Sequence, residues 1–503
     1  MTAATEHPQR PAKRVWMGLG VLLLAAFMGQ VDMFIVNVAA PEMQTGLQAS
    51  FGQVQFVING YVIAYAAGMV TGGRLGDRLG RRRVFWWGTA AFTVASLLCA
   101  LAPSAGWLIT ARVVQGLGAS VMMPQVLSII RASFADPQRR ARAVGVYGAT
   151  LGFGVIAGLI GGGVLVSLDV AGLGWRTIFL INVPIGLLML LATPFLVADS
   201  RSSQRPHTDL VGAVLTGMIL PAVFLPLTLG TETGWPLWTW PMLAAGLALL
   251  AVFLGHERAY AARGREPIAA PRLFGNRGFA TSLVTVATFF SGNAGLFLVL
   301  TYHLQAGLGL GPLATGLVFT PLGGGFATAS AAGQRLTGRF GPRTATAGTG
   351  LMIMSLLLIP IITGIPASAQ AWVLAVFLSL SGLGQGLVVA QLLSTVLSLV
   401  HAEDAGSASG LVNTTTQAGM ATGTALIGTL YHAILGTNPN HPTIPLQTND
   451  FTTTFTLVAL VLAALAAATG VLLEQLRRIG RNPVITDEDG PGREHRIAAG
   501  DAQ

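Results

Sequence analysis

Two full charges interrupt long apolar stretches of the sequence. Asp32 lies in an apolar run at 15–40, and Arg112 lies in a second run at 107–130. A charged side chain at the centre of a bilayer costs roughly 2.5–3.5 kcal/mol, so such charges usually pair with one another and mark proton or substrate pathways. If both runs are membrane-crossing helices, the rise of 1.5 Å per residue places the two charges within about 5 Å of the same depth.

We therefore predict a direct or water-bridged contact between Asp32 and Arg112. Burial favours the neutral form of a carboxyl group and a nearby arginine favours the charged form, so their balance suits a group that gains and loses a proton. Asp32 is the expected proton carrier, and Arg112 is expected to tune its proton affinity. The alternative is an ion pair that only fixes helix packing. Gln115, one turn beyond Arg112, either orients a water molecule or packs as an interhelical amide.

The composition indicates a membrane protein. Of the 503 residues, 52% are hydrophobic and 10% are charged, and the mean hydropathy is +0.65, whereas soluble proteins carry about 25% charged residues. The formal charge of +9 does not indicate a nucleic-acid partner, because the basic residues lie in short loops between apolar runs. The single cysteine, Cys99, excludes an internal disulfide framework.

The apolar runs number fourteen, and each is near the ~20 residues that cross a bilayer as a helix. They predict an all-α membrane protein with fourteen transmembrane helices. The expected spans are 15–40, 54–71, 84–102, 107–130, 143–168, 178–197, 210–229, 237–254, 279–305, 312–332, 345–364, 371–400, 407–435 and 451–473.

The basic residues predict the orientation of the chain. With a cytoplasmic N-terminus, all but two of the 29 Lys and Arg residues fall in cytoplasmic loops or tails. The exceptions are Arg112 within a span and Arg176 on an outer loop. We expect a multi-pass protein of the cell membrane with both termini in the cytoplasm.

Two loops indicate an internal repeat. The loop at 72–83 reads "GGRLGDRLGRRR" and the loop at 333–343 reads "GQRLTGRFGPR", and five of their positions match at one offset. Transporters are commonly built from such repeats, with the substrate site between the halves. We predict an N-terminal six-helix bundle at 1–200, two inserted linker helices at 201–275, a C-terminal six-helix bundle at 276–476 and a disordered cytoplasmic tail at 477–503.

Four segments resemble motifs of a known family. "GGRLGDRLGRRRVF" is similar to the signature loop of the major facilitator superfamily, and "LITARVVQGLGAS" resembles the arginine motif of its proton-coupled exporters. "VDMFIVNVAAP" and "WRTIFLINVPIGL" resemble motifs of the fourteen-helix drug:proton antiporters. The resemblance implies the major facilitator fold, two six-helix bundles plus two inserted helices, and export by alternating access.

Two segments depart from the family pattern. "AGLIGGG" at 157–163 lacks the proline of the exporters' helix 5 element, and Thr416 stands where relatives often carry an arginine. The first departure keeps open a second function in the same fold, a proton-coupled uptake symporter for a small organic solute.

The first signature loop predicts a conformational latch. Asp77 is an unusual residue for a purely basic membrane anchor, and its partner is expected to be Arg131 or the positive N-terminus of a helix in the other half. Such contacts would hold the outward-facing state and break on inward opening. A tight turn with basic anchors is the alternative. The expected latch residues are Gly73, Gly76, Asp77, Arg78, Gly80, Arg81 and Arg131.

Sparse amides and aromatic residues predict an apolar cavity for a small lipophilic or monocationic substrate. Each amide is alternatively an interhelical hydrogen-bonding group. The candidates are Gln30, Asn37, Asn59, Tyr61, Gln115, Phe289, Asn293, Asn413 and Gln417. The leading hypothesis is a proton-coupled exporter of lipophilic drugs or antibiotics that is monomeric, needs no cofactor or metal and is not an enzyme. A membrane enzyme would need paired acids or a His–acid set at the membrane face.

Overall fold

The computed structural model describes residues 12–134, 136–199, 209–233, 236–263, 271–341, 343–400, 405–435 and 448–481. Within these ranges the chain is helical and contains no β-strand. The prediction of an all-α membrane fold is therefore confirmed.

Fourteen of the described helices have at least fifteen residues, and they occupy the fourteen predicted positions. They are α1 (Ala12–Gly46), α2 (Phe51–Leu79), α3 (Arg81–Ala100), α4 (Ala105–Ser133), α5 (Pro137–Leu168), α6 (Asn182–Leu196), α7 (Leu210–Thr233), α8 (Thr239–Ala262), α9 (Arg277–Tyr302), α10 (Pro312–Phe340), α11 (Arg343–Leu357), α12 (Ala367–Ser398), α13 (Ala405–Leu435) and α14 (Thr448–Arg481).

The described residues mark most, but not all, of these helices as candidate membrane spans. Eleven helical segments in the described ranges are long and apolar enough to cross a membrane, and α2 makes a twelfth if its two parts, bent by 48°, count as one span. Helices α7 and α10 lie outside this set. Helix α7 contains Pro221 and Pro226, and α10 contains Pro321. Fourteen crossings therefore stay a prediction.

The end of α14 differs from the predicted disordered tail at 477–503. The helix continues to Arg481. Glu474 holds the last turns together, because its carboxylate lies 2.9 Å from Arg477 Nη1 and 3.6 Å from Arg478 Nε. Such pairs one turn apart support a helix. Residues 482–503 lie outside the described part of the chain.

The helices pair in two similar patterns. Helix α4 packs on α2 and α3, and α1 packs on α5; in the second half α12 packs on α10 and α11, and α9 packs on α13. The predicted division into two bundles has this repetition as its structural counterpart, and its boundaries stay a prediction. Helices α7 and α8 pack on each other, and α7 also contacts α2 and α13. The inserted pair therefore lies beside the seam between the bundles.

Hydrogen bonds join the two bundles on one side of the protein. Tyr302 donates to Gln44 Oε1 over 3.0 Å, and Gln305 Nε2 donates to the Val38 carbonyl over 2.8 Å. The backbone N–H of Leu313 donates to Ser167 Oγ over 3.2 Å. These residues lie near the ends of α1, α5 and α9 and at the start of α10, which the predicted orientation places on the outer side. The bundles are closed together there.

The helix 5 segment "AGLIGGG" supplies a stability test. A Cβ added to Gly158 would lie 2.9 Å from the Val31 carbonyl oxygen, whereas a Cβ on Gly161 has no neighbour within 4 Å. We expect Gly158→Ala to lower the unfolding temperature in detergent because α5 must move away from α1. Gly161→Ala is the matched control; it should be neutral or raise that temperature, since alanine favours a helix by up to about 1 kcal/mol over glycine. Equal shifts for both variants would contradict this packing.

Candidate functional site

The structure places Asp32 and Arg112 in direct contact. Arg112 Nη1 lies 2.6 Å from Asp32 Oδ2, and the two side chains are 1% and 0% exposed, respectively. A pair so fully removed from water is tolerated only when further hydrogen bonds satisfy the remaining polar atoms. The arrangement of neighbouring groups around each charge therefore decides what the pair can do.

The guanidinium of Arg112 is held on three sides. Its Nε donates to the Val57 carbonyl over 3.1 Å, and Nη1 also donates to Gln115 Oε1 over 2.7 Å. The ring of Tyr61 lies beneath it, 4.2 Å from the guanidinium carbon to the ring centroid. A cation over an aromatic face in a desolvated site is stabilised by up to about 2 kcal/mol or more. Two predicted substrate residues, Tyr61 and Gln115, thus belong to the charge cluster.

Two amides satisfy the other carboxylate oxygen of Asp32. Gln115 Nε2 and Asn182 Nδ2 each donate to Oδ1 over 2.8 Å. The same two nitrogens lie 2.6 Å and 3.0 Å from Ser96 Oγ, which links them. Gln115 therefore binds the carboxylate directly, as the second of the two predicted alternatives, an interhelical amide, would. Three charged or polar donors therefore surround this one carboxylate.

Sequence reasoning missed Asn182 and Ser96. Asn182 stands in the quoted segment "WRTIFLINVPIGL", where an amide within an apolar run was an available signal. Ser96 carried no such signal, because serine is common in membrane helices as a packing residue. The helices α1, α3, α4 and α6 each contribute to this cluster.

Close helix approach brings these residues together. A Cβ on Gly118 of α4 would lie 2.7 Å from the backbone nitrogen of Phe92 in α3. Gly186 of α6 packs against the side chain of Thr93 in the same way. Ser96 lies about one turn beyond these contacts on α3, so the glycines set how closely α4 and α6 approach it.

The C-terminal bundle repeats the packing without the charges. "QGLG" at 115–118 aligns with "SGLG" at 381–384, and Gly384 packs on the backbone of Met352 as Gly118 packs on Phe92. This register places Ser381 where Gln115 stands and Leu378 where Arg112 stands. In the first bundle Gly158 of α5 packs on Val31 of α1, and in the second bundle Gly423 of α13 packs on Ser291 of α9. Val31 and Ser291 therefore correspond, and the next residue of each helix makes Gly292 the counterpart of Asp32.

A cavity of about 20 Å³ lies at this counterpart position. Two predicted substrate residues, Phe289 and Asn293, line it, and Asn293 Oδ1 has no hydrogen-bond partner. A water molecule needs roughly 10–15 Å³ of such space, so the cavity has room for one. The other lining residues are Thr288, Gly292, Leu296, Met352, Leu356, Ser381, Gln385, Leu462, Leu465, Ala466 and Thr469.

The remaining predicted substrate residues fall into two groups. Asn37 donates to carbonyls of its own helix, and Gln30 packs against Gly154 of α5. In contrast, Asn59 is 1% exposed, and neither atom of its amide has a hydrogen-bond partner among the described residues. Gln417 Oε1 is likewise buried without one.

Asn59 and Gln417 belong to helices that meet across the two bundles. Gln55, one turn before Asn59, donates to the Thr424 carbonyl of α13 over 3.3 Å. Asn413 lies one turn before Gln417 on the same helix. These amides follow the seam between the halves.

The predicted latch residues form a compact corner between α2 and α3. Gly80 has φ +98°, a backbone conformation that favours glycine. Asp77 pairs with Arg81 over 2.7 Å, and it does not pair with Arg131, which is exposed. Gly73 and Gly76 face α4, where added Cβ atoms would meet Pro124 and Gln125, and Arg78 lies in the last turn of α2. In this outer-closed conformation Asp77 thus pairs within the corner, and the inter-bundle latch stays a prediction.

The sequence is similar to those of several known proteins. The sequence matches the Major Facilitator Superfamily over residues 22–424. It is similar to the probable actinorhodin transporter of Streptomyces coelicolor, with 35% identity over 85% of this chain and 74% of that protein. It is also 35% identical to the puromycin resistance protein pur8 of Streptomyces alboniger, over 92% and 90% of the two chains. The tetracenomycin C resistance and export protein of Streptomyces glaucescens is 32% identical, over 84% and 77%.

The fold also resembles a solved structure. A bacterial homologue of the human lysosomal transporter Spinster, inward-facing and unoccupied, aligns with a TM-score of 0.67 at 17% identity, covering 93% of this chain and 98% of that one. Together, the helical architecture, the paired bundles and the family match show that this chain belongs to the Major Facilitator Superfamily and is a transporter rather than an enzyme.

Proposed function

We propose that the protein exports lipophilic antibiotics or drugs in exchange for protons, as a fourteen-helix drug:proton antiporter. The observation that carries the proton coupling is the Asp32 carboxylate, fully buried and held by Arg112, Gln115 and Asn182. Several relatives are named for antibiotic transport or resistance, which supports the direction and the class of substrate. We place the protein in the cell membrane as a monomer with both termini in the cytoplasm.

The hydrogen bonds around Asp32 suggest how proton movement follows conformation. In this outer-closed form, three donors hold the carboxylate. When the outer side opens, a proton that reaches Asp32 would remove its charge and weaken the bond to Arg112. An isolated ionised group inside the membrane is costly, so loss of that bond and uptake of a proton would go together. The carboxylate would thus take up protons from outside and release them inside.

The seam between the bundles is the proposed substrate path. Asn59 and Gln417 leave buried amide atoms unpaired there, and an unmade buried hydrogen bond costs about 1–3 kcal/mol. A substrate or water that reaches the seam on opening would satisfy them. Close to Asn59 on α2, the rings of Tyr61 and Tyr65 stack with their centroids 6.1 Å apart. Such a surface suits a bulky lipophilic compound that is neutral or carries one positive charge.

An uptake symporter remains the second candidate, because the helix 5 segment at 157–163 lacks the exporters' proline. It would use the same carboxylate, with proton and substrate moving in one direction. An antiporter and a symporter move protons in opposite directions relative to the substrate, and proton movement in everted membrane vesicles distinguishes them.

Asp32→Asn removes the proton site while keeping the size and shape of the side chain. We expect it to abolish proton-driven efflux of puromycin or actinorhodin from cells that lack other exporters, with normal membrane insertion. Glu474→Gln is a suitable control, because it removes a carboxylate at the end of α14, far along the chain from the cluster. Unchanged resistance in Asp32→Asn to every compound that the wild type expels would remove Asp32 from the mechanism.

Substitution of Arg112 separates the structural role of the pair from its transport role. Arg112→Met leaves a buried carboxylate without its charge partner and should destabilise the protein by about 3–5 kcal/mol. The double variant Asp32→Asn/Arg112→Met should recover most of that stability, measured by thermal unfolding in detergent, but not transport. Recovery of proton-coupled transport in the double variant would show that the pair only fixes helix packing.

Everted membrane vesicles distinguish exchange from symport. With an acidic vesicle interior, addition of an antiport substrate should release interior protons, which a pH-sensitive dye reports as a loss of the gradient. The Asp32→Asn vesicles should show no such loss. In vesicles without a proton gradient, an imposed gradient of the same substrate should drive proton movement in the opposite direction to the substrate. Movement of both in the same direction would establish the symporter instead.

A further inference from the structure

A second group of ionisable side chains lies at the adjoining ends of α7 and α8. Asp209 directly precedes α7, and His256 and Glu257 lie in the last two turns of α8. His256 Nε2 is 2.8 Å and 2.9 Å from the two carboxylate oxygens of Asp209. One ligand atom from each of the three residues lies within 4.8 Å of the other two.

Both carboxyl groups of this cluster are withdrawn from solvent. Asp209 is 2% exposed and Glu257 is 1% exposed, whereas the His256 side chain is 24% exposed. Acidic residues are almost never this buried unless they are paired or coordinate a metal. The partly exposed imidazole leaves an entry path to the cluster from one side.

Gly212 makes the convergence possible. Its backbone N–H donates to Asp209 Oδ1 over 2.8 Å, which fixes the carboxylate at the first turn of α7. A Cβ at this position would lie 2.6 Å from Asp209 Oδ2 and also 2.6 Å from Glu257 Oε1. The two carboxyl groups therefore meet in space that any other residue would fill.

The donor set matches a particular class of cation. Two carboxylates and one neutral imidazole balance a divalent ion, which removes the charge that burial penalises. Zn²⁺ binds imidazole nitrogen at about 2.0–2.1 Å and carboxylate oxygen at about 2.0–2.2 Å, commonly with a water in the fourth position. Mg²⁺ and Ca²⁺ prefer oxygen ligands alone. His256 Nε2 lies within hydrogen-bond distance of both Asp209 oxygens, so a bound ion would replace the proton that these two groups share.

We propose that Asp209, His256 and Glu257 form a site for a divalent late transition metal of the Zn²⁺ class. The ion would join the adjoining ends of α7 and α8. Since α7 contacts α2 and α13, the site would hold the inserted pair in place beside the seam between the bundles. This proposal is independent of proton coupling at Asp32 and of the identity of the substrate.

Metal binding to the purified, full-length protein tests the proposal. The protein carries no affinity tag and is first stripped with a chelator in detergent. Titration with Co²⁺ should give the visible absorption of a four- or five-coordinate site at about one ion per chain, and Zn²⁺ should displace it. Zn²⁺ should also raise the unfolding temperature, because a ligand that binds only the folded state stabilises it.

Three variants locate the site. His256→Gln and Glu257→Gln should weaken Co²⁺ binding by about 100-fold or more, since loss of even an outer partner of a metal ligand costs about 10–100-fold. Glu474→Gln should bind as the wild type does. If His256→Gln were poorly folded, Glu257→Gln, which keeps shape and volume, would still decide the question.

Two results would overturn the proposal. The first is wild-type protein that gives no Co²⁺ spectrum and no Zn²⁺-dependent rise in unfolding temperature. The second is binding that persists unchanged in both His256→Gln and Glu257→Gln. Transport measured in the same preparations keeps the proposals apart, because loss of metal binding with intact Asp32-dependent transport would leave the antiporter proposal standing.

Discussion

A buried ion pair constrains the N-terminal bundle. The Asp32–Arg112 pair is almost fully removed from water, and the desolvation of both charges must be offset by hydrogen bonds with good geometry. Those bonds come from Gln115, Asn182 and the Val57 carbonyl, and Ser96 Oγ accepts from both amides. Five helices, α1, α2, α3, α4 and α6, are therefore tied to one set of polar atoms. A change in protonation at Asp32 acts on all of them at once.

The two bundles share a packing plan but differ in chemistry. Glycines at corresponding places allow α4 to approach α3 and α12 to approach α11. Where the first bundle holds a carboxylate and a guanidinium, the second holds Gly292 and Leu378, with a cavity of about 20 Å³ alongside Gly292. A repeat explains the similar backbone, because close helix packing in lipid depends on small residues. The difference in charge confines the proposed proton site to one half.

The hydrogen bonds on the outer side and the inserted helices both lie at the seam between the two bundles. Hydrogen bonds from Tyr302, Gln305 and Leu313 join the bundles on the outer side. In α2, the buried amide of Asn59 has no hydrogen-bond partner among the described residues. A closed state that leaves polar groups unpaired is stabilised less than full pairing would allow, which keeps the two conformations closer in free energy. Helix α7 packs along α2 and α13, so the inserted pair is in position to influence how that seam opens.

The sequence by itself determined the helical membrane architecture, the helix positions, the repeat and the two deep charges. These features are local, because hydropathy over about 20 residues and an isolated charge in an apolar run are visible without knowing any neighbour. The tertiary structure decided that Gln115 touches the carboxylate, that Asn182 and Ser96 complete the cluster, and that Asp77 pairs with Arg81. It also brought Asp209 to His256 and Glu257 across the inserted pair. Those contacts depend on the rotation and spacing of helices far apart in the chain, which follow from side-chain packing between them.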